Sequence, residues 1–337
     1  MIKSIEWVGG HVRYIDQTKL PSDEVYTKTS DYRDVAEAIR KLRIRGAPLI
    51  GIAAAYAVAL AGMESRKLES SKFVNEITEA IDLLAATRPT AVNLFWALKR
   101  MKTVLSLNDN IEIVRTSLID EAIKIHSEDI EMCKNIGENG STLIPDNATI
   151  LTHCNTGALA TGGDGTAQSV ITTAHKQGKR VNVYADETRP LLQGGRLTTW
   201  ELMKNGIEVN LITDNVAAFL MQRNKITLAI TGADRIAANG DTANKIGTYS
   251  IAVNAKYHDI PFYIAAPTST IDPAIRSGSD IMIEERNIEE VTSIDGKRIA
   301  PDGVKVYSPA FDITPASLIT AVITDRGVFY PPFDFSK

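Results

Sequence analysis

The sequence predicts an α/β protein of two unlike parts: an N-terminal helical domain with a short β preface over 1–140, then a parallel-sheet domain over 141–337. Three observations carry this. The first part shows three- and four-residue apolar spacing. From Ala148 the pattern becomes short β-branched runs alternating with helical stretches that end on glycine. The length of 337 residues suits about two domains, each with its own core.

In the first part, Trp7 to Val25 is mixed and turn-rich and reads as a small strand element. Asp31 can cap a helix that carries Val35, Ala36, Ile39 and Leu42 on one face. After Arg45-Gly46-Ala47-Pro48 comes an Ala-rich run to Met63 that is apolar all round, the mark of a buried helix. It has 17 residues, fewer than the roughly 20 of a membrane span. Phe73 to Ala86, Ala91 to Val104 and Ile111 to Gly140 read as three more helices. In the second part the strands are 150–154, 181–185, 209–213, 226–230 and 262–266. Thr166–Gly178, Leu197–Gly206, Val216–Arg223 and Ile246–His258 are the intervening helices.

Composition narrows the function. Lys+Arg 37 against Asp+Glu 41 gives a net charge of −4, with no basic stripe of the kind nucleic-acid binders show. The first residues lack a signal-peptide pattern, and two cysteines, Cys133 and Cys154, give neither a disulfide scaffold nor a zinc finger. A reducing cytoplasm is the expected compartment.

In parallel sheets ligands sit beyond the carboxyl ends of the strands, and here those ends are rich in polar groups. The first strand runs into His153-Cys154-Asn155-Thr156-Gly157 and then Thr161-Gly162-Gly163-Asp164-Gly165-Thr166 before a helix. A glycine-rich turn of this kind either aims N–H groups at an anion or is simply a tight turn. Its spacing is neither the dinucleotide fingerprint nor a P-loop. Cys154 reads either as a small strand-end hydrophobe or as a usable thiolate, and Cys133, inside a helix, as core. His153 and Cys154, as strand neighbours, point to opposite faces, against a Cys–His dyad. Asp234 follows an apolar strand and Gly232-Ala233; burial there would raise its pKa and suit it to acid–base work, the alternative being a helix cap or a partner for Arg235. Lys245, read at the start of a helix, opposes the dipole and suggests an anionic ligand or a bridge to Asp241. Arg45 and Arg88 each precede a proline-marked helix start, where a guanidinium suits phosphate. Arg189 and Gln193 either orient a ligand or brace their loop. The five histidines show no metal-ligand spacing, and no metal or other cofactor is expected.

The ordered strings Arg45-Gly46-Ala47-Pro48, Arg88-Pro89-Thr90-Ala91-Val92-Asn93-Leu94, His153 to Thr161, Asp186-Glu187-Thr188-Arg189-Pro190, Gln193-Gly194, Gly232 to Gly240, Asn244-Lys245-Ile246-Gly247-Thr248 and Pro309 to Pro315 closely resemble the 5-methylthioribose-1-phosphate isomerases of methionine salvage. The resemblance spans nearly the whole chain. It implies a Rossmann-like C-terminal domain, a homodimer and a phosphorylated pentose as substrate, while the charge balance and the short apolar run give the expectation of no nucleic-acid or membrane partner. It places a catalytic cysteine at Cys154 and a catalytic aspartate at Asp234, with substrate-binding positions at Arg45, Gly46, Ala47, Arg88, Gln193, Asn244 and Lys245. Many members carry an aromatic residue where this chain has Asp164, a departure that bears on the sugar's 5-substituent. Isomerases of 5-deoxyribose 1-phosphate and of ribose 1,5-bisphosphate are neighbouring enzyme readings. Regulatory subunits of the translation-initiation exchange factor are the non-enzymatic one.

Overall fold

A computed structural model describes residues 2–64, 70–108 and 110–336. The chain packs as two compact units: Met1–Lys134 with Thr156–Gly165, and Asn135–Asn155 with Thr166–Lys337. The division thus comes after Lys134 rather than at 140/141, and the glycine-rich turn groups with the helices.

In the first unit β1 (Ile5–Trp7), β2 (Val12–Ile15) and β3 (Tyr26–Thr29) form an antiparallel sheet. The helices are α1 (Tyr32–Arg40), α2 (Ala47–Glu64), α3 (Ser70–Ala85), α4 (Val92–Val104) and α5 (Ile111–Ser141), whose last turns belong to the second unit. Asp31 caps α1 by accepting the Arg33 N–H, as its position predicts. Leu42, expected on the α1 face, lies past the helix end in a left-handed turn at φ 58°. By length and composition α2 could cross a membrane, yet 83% of it is buried inside the protein. It is the central helix of a core to which α1, α3 and α4 contribute Ile39, Ile77 and Leu94. The tight contact of Gly51 with the Asn93 carbonyl sets the starts of α2 and α4 side by side. The helices that Arg45 and Arg88 precede therefore begin at one place.

The second unit runs β4 (Ala148–Thr152), α6 (Ala167–Lys176), β5 (Val181–Asp186), α7 (Thr199–Lys204), β6 (Val209–Ile212), α8 (Val216–Gln222) and β7 (Leu228–Thr231). There follow β8 (Arg235–Ala237), β9 (Thr242–Lys245), α9 (Thr248–Tyr257), β10 (Phe262–Ala265), β11 (Ile271–Asp272), α10 (Glu289–Thr292), β12 (Ser293–Ile294), β13 (Lys297–Arg298), β14 (Phe311–Thr314), β15 (Ala321–Thr324) and β16 (Gly327–Phe329). The main sheet has the order β16-β15-β10-β7-β4-β5-β6 and is parallel except for the edge strand β16. From the β6 side, its parallel strands come third, second, first, fourth, fifth and sixth in chain order, the doubly wound, Rossmann-like arrangement.

Alternation along the strands feeds two cores. Ile150, Val183, Leu228 and Ile230 pack with Val170 and Ile171 of α6 on one face. Leu151, Ala229 and Ile264 pack with Met221 of α8 and Ile251 of α9 on the other. The connection reverses direction between β4 and β7, and the crevice beyond that reversal is where such sheets bind ligands. A second sheet, β11-β8-β9-β14, grows from the loop after β7.

Candidate active site

Cys154 and Asp234 emerge on either side of the reversal. Thr152 of β4 is in register with Ile230 of β7, so both residues leave the same edge of adjacent strands. Cys154 lies beyond the end of β4 in a left-handed conformation, φ 62°, unusual for a residue with a Cβ. Two hydrogen bonds hold its backbone: its N–H donates to Thr188 Oγ1 at 2.8 Å and its carbonyl accepts from Thr198 Oγ1 at 2.6 Å. The side chain is half-buried. Asp234, also half-buried, donates its N–H to the Ala243 carbonyl at 2.9 Å, joining the loop after β7 to β9. Arg235 is engaged by Asp272 at 3.5 Å.

Asn244 and Lys245 end β9 rather than opening a helix; α9 begins at Thr248 after Gly247. The dipole argument for Lys245 therefore does not apply. Its Nζ donates to the Ala310 carbonyl at 3.0 Å and lies 4.6 Å from the centre of the Phe311 ring. The Asp241 carboxylate accepts from the Gly278 and Ala316 N–H groups and from Asn239. These bonds hold its pKa below the ordinary range against the opposing effect of burial. Asn244 is buried and donates to Thr248 Oγ1 at 3.0 Å. Gln193 is 6% exposed, and its Oε1 has no hydrogen-bond partner among the described residues. Such an orphaned acceptor is costly unless a ligand satisfies it. Arg189 braces its loop, donating to the Pro190 and Val291 carbonyls.

In the first unit, Gly46 has φ 104°, and a Cβ there would run into the backbone of Ala160. The Arg45-Gly46-Ala47 string is thereby seated directly on the glycine-rich segment. That segment differs from an open anion nest. The N–H groups of Ala160 and Thr161 bond to the carbonyls of Gly157 and Ala158, and Gly162 N–H donates to Asp129 Oδ2 at 2.6 Å. His126 Nε2 donates to the Gly162 carbonyl at 3.1 Å while Nδ1 accepts from Tyr56 Oη at 2.7 Å. Burial pushes His126 down and Tyr56 up, so both stay neutral. Cys133 is fully buried, with its thiol pushed up by burial and by Asp129.

In the sequence Asp186 appears only within the Asp186-Glu187-Thr188-Arg189-Pro190 string, with no role of its own. It is 1% exposed and bonds His153 Nδ1, also 1% exposed, through Oδ2 at 2.9 Å. Both ring nitrogens of His153 are taken, since Nε2 faces the Ile246 carbonyl at 2.9 Å. A Cys–His dyad is thus absent for this reason, not because of strand alternation, which has already ended at Thr152. Burial raises Asp186 to about 6 against the pull of His153. His153 itself, despite burial, is raised by the bond to Asp186. Ligand atoms of His153, Asp186 and Asp214 come within 4.8 Å of one another, a metal-like spacing. The Asp214 oxygens, however, already accept the Thr188 and Arg189 N–H groups at 2.7 Å each.

The initiation factor 2 subunit family model matches residues 43–331. A methylthioribose-1-phosphate isomerase of Trichlorobacter lovleyi is 58% identical over 328 residues, covering 97% of this chain and 95% of the relative. One of Thermotoga maritima is 56% identical over 332 residues, covering 98% and 96%. The chain belongs to the methylthioribose-1-phosphate isomerase family. The solved 5-methylthioribose 1-phosphate isomerase from Pyrococcus horikoshii OT3 matches with a TM-score of 0.93 at 46% identity, covering 99% of this chain and 94% of that one. The A. fulgidus translation initiation factor eIF-2B, subunit delta, matches at 0.88 and 45%, covering 98% and 97%. The isomerase family and the initiation-factor subunits thus share one architecture, and architecture alone does not separate enzyme from binding module.

Proposed function

We propose that this chain converts 5-methylthioribose 1-phosphate to 5-methylthioribulose 1-phosphate, with Cys154 and Asp234 as the acting groups. The observation that carries the reading is their emergence from adjacent strands at the reversal of a doubly wound sheet, in a chain 58% identical to a methylthioribose-1-phosphate isomerase. A sugar esterified at its anomeric oxygen cannot open to an aldehyde unaided, so the bond between C1 and the ring oxygen must be cleaved first. Asp234 supplies the proton for that cleavage. Hydrogen then moves from C2 to C1. Either Cys154 removes the C2 proton to give an enol phosphate and returns it to C1 as the O2 proton passes to Asp234, or hydride migrates from C2 to C1, with Cys154 stabilising the charge, while Asp234 takes the O2 proton. Arg45, Gly46, Ala47, Arg88, Asn244 and Lys245 bind the phosphorylated sugar, and the orphaned Oε1 of Gln193 accepts one of its hydroxyls. No metal or other cofactor enters either route.

The test is turnover of 5-methylthioribose 1-phosphate against 5-deoxyribose 1-phosphate. The expected result is a higher kcat/KM for the methylthio sugar; preference for the deoxy sugar moves the substrate, and turnover of neither favours the subunit reading that the 45% identity to the A. fulgidus factor keeps in view.

The enzyme acts in the cytoplasm, within methionine salvage, as a homodimer. Tyr249, Val253 and Tyr257 form an exposed stripe on α9, 45%, 39% and 81% exposed, opposite the buried Ile251, Ala252 and Ala255. An aromatic stripe of this kind is what a subunit interface covers. Light scattering is expected to give near 73 kDa, twice the 36.7 kDa of one chain; a mass of one chain at micromolar concentration refutes the dimer.

A further inference from the structure

His153 joins two strand ends through its ring. Nε2 faces a carbonyl, which only accepts, so Nε2 carries a hydrogen and donates to Ile246. Nδ1 faces the Asp186 carboxylate, so one proton lies between the two groups. Asp186 is tied onward: its backbone carbonyl accepts from Thr188 Oγ1 at 3.1 Å, and the same hydroxyl oxygen accepts the Cys154 N–H. At the other end, Ile246 directly follows Lys245. Its neighbour Gly247, at φ 106°, lies so close to the imidazole that a Cβ there would strike the ring. Gly247 N–H is anchored in turn on Asp312 Oδ2 at 2.7 Å.

We propose that His153 is a positioning residue: its buried ring, bonded to Asp186 and to the Ile246 carbonyl, holds the backbone carrying Cys154 in place against the backbone carrying Asn244 and Lys245. This rests on the assignment of Cys154, Asn244 and Lys245 to the reaction given above. The ring touches no reacting atom in this account. Its effect is geometric, and displacement of a reacting group by about 1 Å costs on the order of a hundredfold in rate.

The Asp186 variants separate geometry from charge. In Asp186→Asn the amide donates to Nδ1 of a neutral His153 whose Nε2–H still reaches Ile246, so the link survives without the ion pair. Asp186→Ala and His153→Ala break it. The expected result is a loss of at least about a hundredfold in kcat/KM for both alanine variants and of no more than about tenfold for Asp186→Asn. Alkylation of the native protein by iodoacetamide gives a readout independent of turnover, because Cys133 is fully buried and Cys154 is not. Its rate-against-pH curve is expected to keep the wild-type midpoint in Asp186→Asn.

If Asp186→Asn falls as far as Asp186→Ala, fails to fold, or shifts that midpoint, the charge or proton of the pair is what matters and the proposal is overturned. A His153→Ala variant within tenfold of wild type overturns it as well. If His153→Ala does not fold, the Asp186→Asn result decides alone. Cys154→Ser assayed alongside keeps the two failures apart: turnover above a tenth of wild type in that variant removes Cys154 from the reaction, whatever the other variants do.

Discussion

Cys154→Ser is expected to lower kcat by about 10²- to 10⁴-fold, the range of a lost acid–base group, while KM for 5-methylthioribose 1-phosphate changes by less than about threefold. The replacement is nearly isosteric, and both hydrogen bonds that fix residue 154 come from its backbone, to Thr188 and Thr198. The left-handed turn at φ 62° is therefore retained. What changes is the proton affinity: a thiol ionises near pH 8.5, whereas a serine hydroxyl does not ionise in the physiological range. A base lost without loss of binding shows as a fall in kcat. Residual activity above a tenth of wild type would take Cys154 out of the mechanism. Running the wild-type reaction in deuterated water reads the route as well. Deuterium at C1 of the product means a proton leaves C2 and exchanges before it returns; none at C1 is the result hydride migration requires.

Much of the fold is legible in the sequence, for identifiable reasons. Asp31 announces α1 because its carboxylate has one local use, capping. The central strands announce themselves because both faces are buried, which leaves short apolar runs. Cys154 and Asp234 stand out because polar residues that follow such runs fall at the ligand-binding edge. The small sheet was not legible: β8, β9 and β11 have two to four residues each, and β9, Thr-Ala-Asn-Lys, has no apolar period to read. For that reason Lys245 reads as a helix start when it ends a strand. The His153–Asp186 pair was hidden differently. Its members are 33 positions apart and meet only because β4 and β5 pair with Thr152 opposite Ala185, a register that no local pattern specifies.

Asp234→Asn is expected to cost kcat as much as Cys154→Ser, about 10²- to 10⁴-fold, under either route for the hydrogen. Ring opening precedes the C2-to-C1 transfer in both, and an amide cannot deliver the proton to the ring oxygen. The variant also tests whether the residue is merely electrostatic scaffolding. Arg235, the cation next to it in sequence, lies against Asp272, so replacing the carboxyl at 234 leaves that guanidinium with its partner. The backbone bond from residue 234 to Ala243, which ties the loop to the strand bearing Asn244 and Lys245, is untouched by an amide side chain. The expected result is a KM close to wild type while turnover collapses. A variant that loses substrate affinity and stability together, in proportion to its loss of rate, would show that the carboxylate holds the loop and does not move the proton. Equal losses in the Cys154 and Asp234 single variants, with little further loss in the double variant, are what two groups serving one sequence of proton movements would give, because a route already closed at one step gains nothing from the other.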